Sequence, residues 1–257
     1  MLSESQIDQY HENGYLIPDF RVSDQTLDDI KSAHAKLVKG LPEYVDYCPA
    51  ILPHDPSFVR FACNDDILSM VAQVIGDDIA LWNSSFFAKP ARVGSTTPWH
   101  QDGEYWPMRP LATCTVWIAF DDSTTNNGCL RVIPGSHKEK RVRKHVTNDA
   151  PGLALNEELP ASEFDQDEAI DLVLKACQIS LHDVFLVHGS EPNHSAHSRR
   201  GMTLRFMPTT SHYDRDIEHE QNTKLGLDRG LRRPVFLMRG VDQCGRNEFE
   251  NETPQCP

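Results

Sequence analysis

The sequence predicts a mainly β fold: an antiparallel double sheet of the jelly-roll, cupin-like kind with helices packed on one side. Two patterns carry that expectation. Residues 1–78 hold helical spacings of apolar side chains, and residues 79–210 hold short β-type runs separated by turn residues. Nothing repeats and no linker divides the chain. One domain over 1–257 is expected, with 1–78 as its helical part, 79–210 as its β core and 211–257 as a C-terminal covering segment or tail.

In order, Ser3-Glu4-Ser5-Gln6 reads as a capping box, with Gly14 as the C-cap of a short helix. Tyr15 to Phe20 is extended. A second helix spans about Asp24 to Lys39, with Leu27, Ile30, His34, Leu37 and Val38 on one face and Gly40 ending it. His34 on that face reads as a packed histidine. Leu41 to Pro56 carries four prolines and reads as a lid or binding loop. A third helix covers about Asp65 to Ile75, closed by Gly76. The β-type runs are Ile79–Ala88, Thr113–Phe120, Cys129–Ile133, Ile170–Leu174, Val184–His188 and Met202–Met207. Between them lie turns such as Asn126-Asn127-Gly128 and Pro134-Gly135-Ser136. From about Asp214 the chain turns polar.

A chain of 257 residues is long enough for a sizeable core. Its formal charge of −13 argues against gripping nucleic acid or an anionic membrane. No apolar run approaches a membrane span, and the N-terminus lacks a basic, then apolar, leader pattern. Seven scattered cysteines without CxxC spacing read as reduced thiols in a cytoplasmic protein.

The chemistry concentrates in Thr97-Pro98-Trp99-His100-Gln101-Asp102-Gly103. Residues two apart on an extended chain share a face, so His100 and Asp102 converge while Gln101 points away. A second imidazole would complete the two-His-one-carboxylate set that leaves positions open on Fe(II). His188, at a strand end, is the candidate, with His182 beside Asp183 as its competitor. His137, His145, His194, His197, His212 and His219 read as surface residues. The same donors suit Zn²⁺, although no HExxH glutamate is present as a base. An iron oxygenase needs an electron source such as a keto acid, whose far carboxylate calls for a guanidinium. Were strands 184–188 and 200–207 a hairpin, Arg199 would share a face with the small Gly201 and Thr203. Arg200 would share one with Met202, Leu204 and Phe206.

At this point the motifs resemble a family. Trp99-His100-Gln101-Asp102, Tyr105-Trp106-Pro107-Met108-Arg109-Pro110, Trp117, Asn127 to His137 and His188-Gly189-Ser190…Asn193…Arg199 are similar to the phytanoyl-CoA dioxygenase family of Fe(II)/2-oxoglutarate oxygenases. The resemblance covers roughly residues 1–210. It implies a double-stranded β-helix holding Fe(II) on His100, Asp102 and His188, with 2-oxoglutarate and O₂ as cosubstrates. It implies Arg199 and Ser190 on the 2-oxoglutarate carboxylate, with Lys89, Thr113 and Trp117 lining that pocket and Gln101 contributing. Related halogenases lack the carboxylate ligand; Asp102 therefore implies hydroxylation.

For the substrate, the basic cluster Lys138 to His145, first a solvated loop, would sit near the barrel mouth. With Arg109 and Arg141 it would favour a small molecule carrying a carboxylate, phosphate or phosphonate. Tyr44, Tyr47, Trp99, Tyr105 and Trp106 would form an aromatic wall suited to apolar or alkylammonium groups. The expected reaction is hydroxylation of an unactivated C–H bond of a small polar metabolite. The alternatives are an acyl-CoA or other lipid-like substrate, a non-catalytic metal-binding jelly roll, and a zinc hydrolase.

Overall fold

The computed structural model describes residues 1–104, 106–224 and 232–250. The N-terminal helices form where their spacings place them. Helix α1 (Glu4–Asn13) opens on the Ser3–Gln6 capping box and ends at Gly14, whose φ of 80° suits a residue without a side chain. Helix α2 (Asp24–Gly40) is capped by Ser23, and α3 (Asp65–Ile75) by Asn64. Their apolar faces, including Leu27, Ile30, Ile67 and Val71, bury against Phe86, Val116, Ile118, Leu181, Met202, Leu204 and Phe206 of one sheet. Each such side chain contributes about 1.5–3 kcal/mol on burial.

That sheet has seven strands. The path runs Tyr15–Leu16, Ile179–Asp183, Cys114–Ala119, Arg199–Pro208, Ile79–Lys89, Phe236–Arg239, with Tyr47–Cys48 also pairing to Ile79–Lys89. A second sheet of four short strands runs Ile170–Leu172, Leu130–Val132, His188–Ser190, Thr97–His100. All the pairings are antiparallel. The fold is the expected jelly-roll arrangement. The period-2 alternation gives the large sheet two unlike faces. One is the apolar layer under the helices; the other carries Lys89, Thr115, Trp117, His182, Arg199, Thr203 and Arg205, all buried.

Several expectations give way. Val184 to Val187 is a turn, not a strand, and His188 opens its strand rather than ending one. Phe185 N donates to the Asp183 carboxylate, and Leu186 N to the Asp183 carbonyl, so the apolar run records burial rather than extension. The strand just before it, Ile179–Asp183, was not foreseen. The supposed hairpin of 184–188 with 200–207 does not form, because the two strands belong to different sheets. Pairing goes instead to Ile79–Lys89 and Cys114–Ala119, whose longer runs offer more ladder bonds.

The 41–56 segment is partly ordered, with a short strand at Tyr47–Cys48 beside Phe86 and Phe87. The described residues beyond Asp214 include helix α4 (Arg215–Lys224) and the edge strand Phe236–Arg239. Cys63 is disulfide-bonded, against the expectation of reduced thiols throughout, while Cys48, Cys114, Cys129, Cys177 and Cys244 are free. Among the described residues no helix is long and apolar enough to cross a membrane.

Candidate metal centre

His100 ends the Thr97–His100 strand and His188 opens the neighbouring one; the register places the two opposite each other. Their ring centroids are 4.2 Å apart. Asp102 follows two residues on, where the chain leaves the sheet. One donor atom from each of His100, Asp102 and His188 lies within 4.8 Å of the others. Both histidines present one nitrogen to this point, since Nδ1 of His100 is 2.8 Å from the Pro98 carbonyl and Nδ1 of His188 is 2.8 Å from that of Leu186. Nδ1–H donates in each, which leaves Nε2 as the ligand lone pair and fixes the ring.

The electrostatics suit a cation. Burial pushes the His188 imidazole down to about 3 and lowers that of His100, so both are neutral near pH 7. Burial alone would raise the Asp102 carboxyl, but His182, Arg205, His188 and His100 hold it well below the usual carboxylate range. Two neutral imidazoles and an ionised carboxylate are the donor set a divalent iron takes, and they fit it without losing a proton.

His182, offered by the sequence as the competitor of His188, joins the site as a fourth group instead. His182, 4% exposed, reaches across from the large sheet, with Nε2 3.9 Å from Asp102 Oδ2 and its ring 5.4 Å from His188. The alternation Ile179-Ser180-Leu181-His182 puts Ser180 and His182 on the face away from the helices.

Arg199 is buried on the inner face, with Gly201 and Thr203, and opposite Lys89. Its Nε donates to the Gly128 carbonyl at 3.1 Å, and its guanidinium lies 5.6 Å from the Trp117 ring. Gly201 has no side chain because a Cβ there would collide with that ring. Arg200 faces the other way and pairs with Asp121 through two nitrogens at 2.8 Å. Lys89 donates to the Ser95 carbonyl; burial and then Arg199 push its ammonium down to about 7. Burial lowers Arg199 itself to about 10. Neither cation forms an ion pair among the described residues, so the pair is arranged for an anion. Ser190, buried, stands two residues beyond His188 on the same strand.

Other predicted residues fall elsewhere. Gln101 is locked outside the ligand face, with its amide nitrogen on the Phe185 and Arg141 carbonyls and its oxygen accepting from Arg143 N. Every polar atom of its side chain is thus used by the scaffold. Thr113 donates to Met108 Sδ and lies beyond Arg205 from Arg199, because Cys114 is already paired with Phe206. Tyr44 packs against His54 and the helical layer, on the wrong side of the sheet for the metal.

The basic cluster is also displaced. Lys140 to Lys144, Arg109 and Phe185 line a cleft of about 770 Å³ together with Gly103 and Glu104, and no metal ligand lines it. There Arg141 pairs with Glu139, and the exposed Arg109 donates to the Trp106 and Met108 carbonyls. His137 and His145 are buried rather than on the surface: His137 bonds the His11 carbonyl, and His145 accepts from Gln101 N while facing Glu104 at 2.7 Å.

Tyr47 and Trp106 stay near the centre. Tyr47 packs 5.0 Å from Phe87 and lines a cavity of about 470 Å³ with residues 148–150 and 153–156. Trp106 lies 4.6 Å from Trp82 and under the Arg205 guanidinium. Trp99 packs on Phe164, and Tyr105 lies outside the described residues.

Comparisons with known proteins identify the family and the fold. The family model described as phytanoyl-CoA dioxygenase (PhyH) matches residues 1–201. A phytanoyl-CoA dioxygenase domain-containing protein 1 homolog of Dictyostelium discoideum is 34% identical over 60% of the chain and 56% of its own length. A probable alpha-ketoglutarate-dependent hypophosphite dioxygenase of Stutzerimonas stutzeri is 31% identical over 56% of the chain and 50% of its own length. The chain thus spans about half the length of either relative. Among solved structures, the non-heme monooxygenase ThoJ, in its apo form, shares the fold with a TM-score of 0.72 at 21% identity, covering 97% of this chain and 88% of that one.

Proposed function

The chain belongs to the phytanoyl-CoA dioxygenase family, and from that premise we propose that it is an Fe(II)- and 2-oxoglutarate-dependent oxygenase hydroxylating a small polar metabolite. The observation that carries the reading is the convergence of the His100, Asp102 and His188 donor atoms within 4.8 Å, each imidazole offering a single nitrogen. His100, Asp102 and His188 hold the metal. Arg199, supported by Lys89, Trp117 and Ser190, takes the far carboxylate of 2-oxoglutarate. Bound there, iron with its keto acid and O₂ supplies the oxidising power for C–H hydroxylation.

The protein's own share is placement. The Pro98 and Leu186 carbonyls fix the two rings, and His182 keeps Asp102 ionised. Trp117 and Gly128 restrict Arg199 to one orientation. Burial of His100, His188, Lys89, Ser190 and Arg199 would exclude water from the groups that hold the metal and its keto acid. The cavity at Tyr47 supports a small polar substrate over a long acyl chain, since Asn148, Asp149 and Asn156 line it beside alanines and leucines.

His100→Ala and Asp102→Ala are each expected to abolish succinate formation from 2-oxoglutarate while leaving the fold intact by circular dichroism. Succinate formed near the wild-type rate by either variant would remove the assignment.

A further inference from the structure

A second guanidinium is buried on the same inner face of the large sheet as Arg199. Arg205 is 7% exposed on the inner face of the Arg199–Pro208 strand. It donates from Nη1 to Ser85 Oγ and lies 4.9 Å from the Trp106 ring and 5.9 Å from that of Phe87. Among the described residues its Nε has no hydrogen-bond partner and it forms no ion pair. The register continues from Arg205 to Thr115 and from Thr115 to His182. Thr115 Oγ1 and His182 Nδ1, both buried, are also without partners. His182 then meets Asp102. One rung of the sheet is therefore three buried polar side chains with unused donors or acceptors, ending on a metal ligand.

Leaving such groups unpaired costs about 1–3 kcal/mol each, and more for a charge. The titratable groups facing Arg205 are Asp102, the neutral phenol Tyr47 and Arg233. Asp102 is the ionised carboxylate of that set, and the metal uses its charge. Arg199 cannot share the role simply, since six residues of one strand separate their Cα atoms by about 20 Å. Each guanidinium also rests on its own aromatic ring. Two buried cations this far apart on one face call for two anions.

Building on the oxygenase reading above, we propose that Arg205 anchors the primary substrate, its open Nε edge and the Thr115 hydroxyl taking the anionic oxygens of a small carboxylate or phosphorus oxyacid. The body of that molecule lies against Trp106, Phe87 and Tyr47.

The test uses the full chain loaded with Mn²⁺ and 2-oxoglutarate, titrated with propionate, methylphosphonate and phosphite and followed by thermal shift. At least one anion is expected to bind saturably; which one separates the carboxylate from the phosphorus source. Arg205→Met should weaken that binding about tenfold or more, with Arg205→Lys intermediate. Affinity for 2-oxoglutarate should stay within about threefold in Arg205→Met and collapse in Arg199→Met. The ligand-free Arg205→Met protein should melt no lower than wild type, because an apolar side chain replaces an unpaired buried charge. Three results overturn the proposal: no anion binds wild type, Arg205→Met binds it equally well, or Arg205→Met loses 2-oxoglutarate or several degrees of melting temperature. Failure of wild type to bind 2-oxoglutarate at all would instead sink the oxygenase reading.

Discussion

Lys89 is the residue whose chemistry the burial most changes. Its ammonium is pushed down to about 7 by burial and the neighbouring Arg199, against an ordinary value of 10.5. The folded state therefore binds fewer protons than the unfolded one between about pH 7 and 10.5, so this group's contribution to stability rises with pH across that window. An anion beside it reverses the balance by favouring the charged form. Under the proposed cosubstrate role, 2-oxoglutarate binding at pH 8.5 should take up close to one proton, and Lys89→Met should abolish the uptake. Calorimetry in two buffers of different ionisation enthalpy measures this. Heats independent of the buffer in wild type would remove Lys89 from the cosubstrate pocket. Binding of the metal itself should release no proton near pH 7, since His100 and His188 are already neutral and Asp102 ionised.

At the scale of elements, the ligand strand is held by a clamp that no short motif announces. The strand Thr97–His100 is four residues long, and its two metal-side residues sit at or past its end. Gln101, between them, bonds the Phe185 carbonyl at 2.6 Å and Arg143 N at 2.7 Å, while its own N–H meets His145 Nε2 at 3.0 Å. This ties the strand to the Val184–Val187 turn that delivers His188. Gln101→Ala leaves those partners buried and unsatisfied, which costs about 1–3 kcal/mol. Metal affinity should fall about 10- to 100-fold, as for other groups that orient a ligand. Affinity of the metal-saturated variant for 2-oxoglutarate should not change, and a selective loss there would restore Gln101 to the cosubstrate pocket. His-x-Asp was legible because two-residue periodicity is local. The clamp was not, because it joins positions 101, 143, 145 and 185, and chain order carries no signal for such a meeting.

The same division holds for the whole molecule. Helices α1, α2 and α3 were readable from caps and 3.6-residue spacing, and Arg199's inward face from strand parity. Arg205 shares that parity and was within reach of the same argument. What local pattern could not supply was the sheet to which each strand belongs, so His188 and Arg199 were joined in a hairpin that does not exist. Charge misled at the C-terminus, where a polar and charged stretch hid an edge strand.

That stretch closes the sheet. Phe236–Arg239 pairs with Ile79–Leu81, and Val235 packs with Trp82, Met207 and Tyr213. It is anchored by Glu218, 5% exposed, whose carboxylate accepts from Tyr213 Oη at 3.0 Å, Arg215 Nη1 at 2.8 Å and Arg233 Nη1 at 3.3 Å. Removing the carboxylate strands two half-buried guanidiniums and a buried phenol, so Glu218→Ala should cost about 3 kcal/mol. For a chain of this size that is roughly 6–12 °C in melting temperature. Glu218→Gln keeps the shape and one acceptor and should lose less. Calorimetry on the three proteins decides. If Glu218→Ala melts within about 2 °C of wild type, the C-terminal segment is held by its strand pairing and apolar contacts alone.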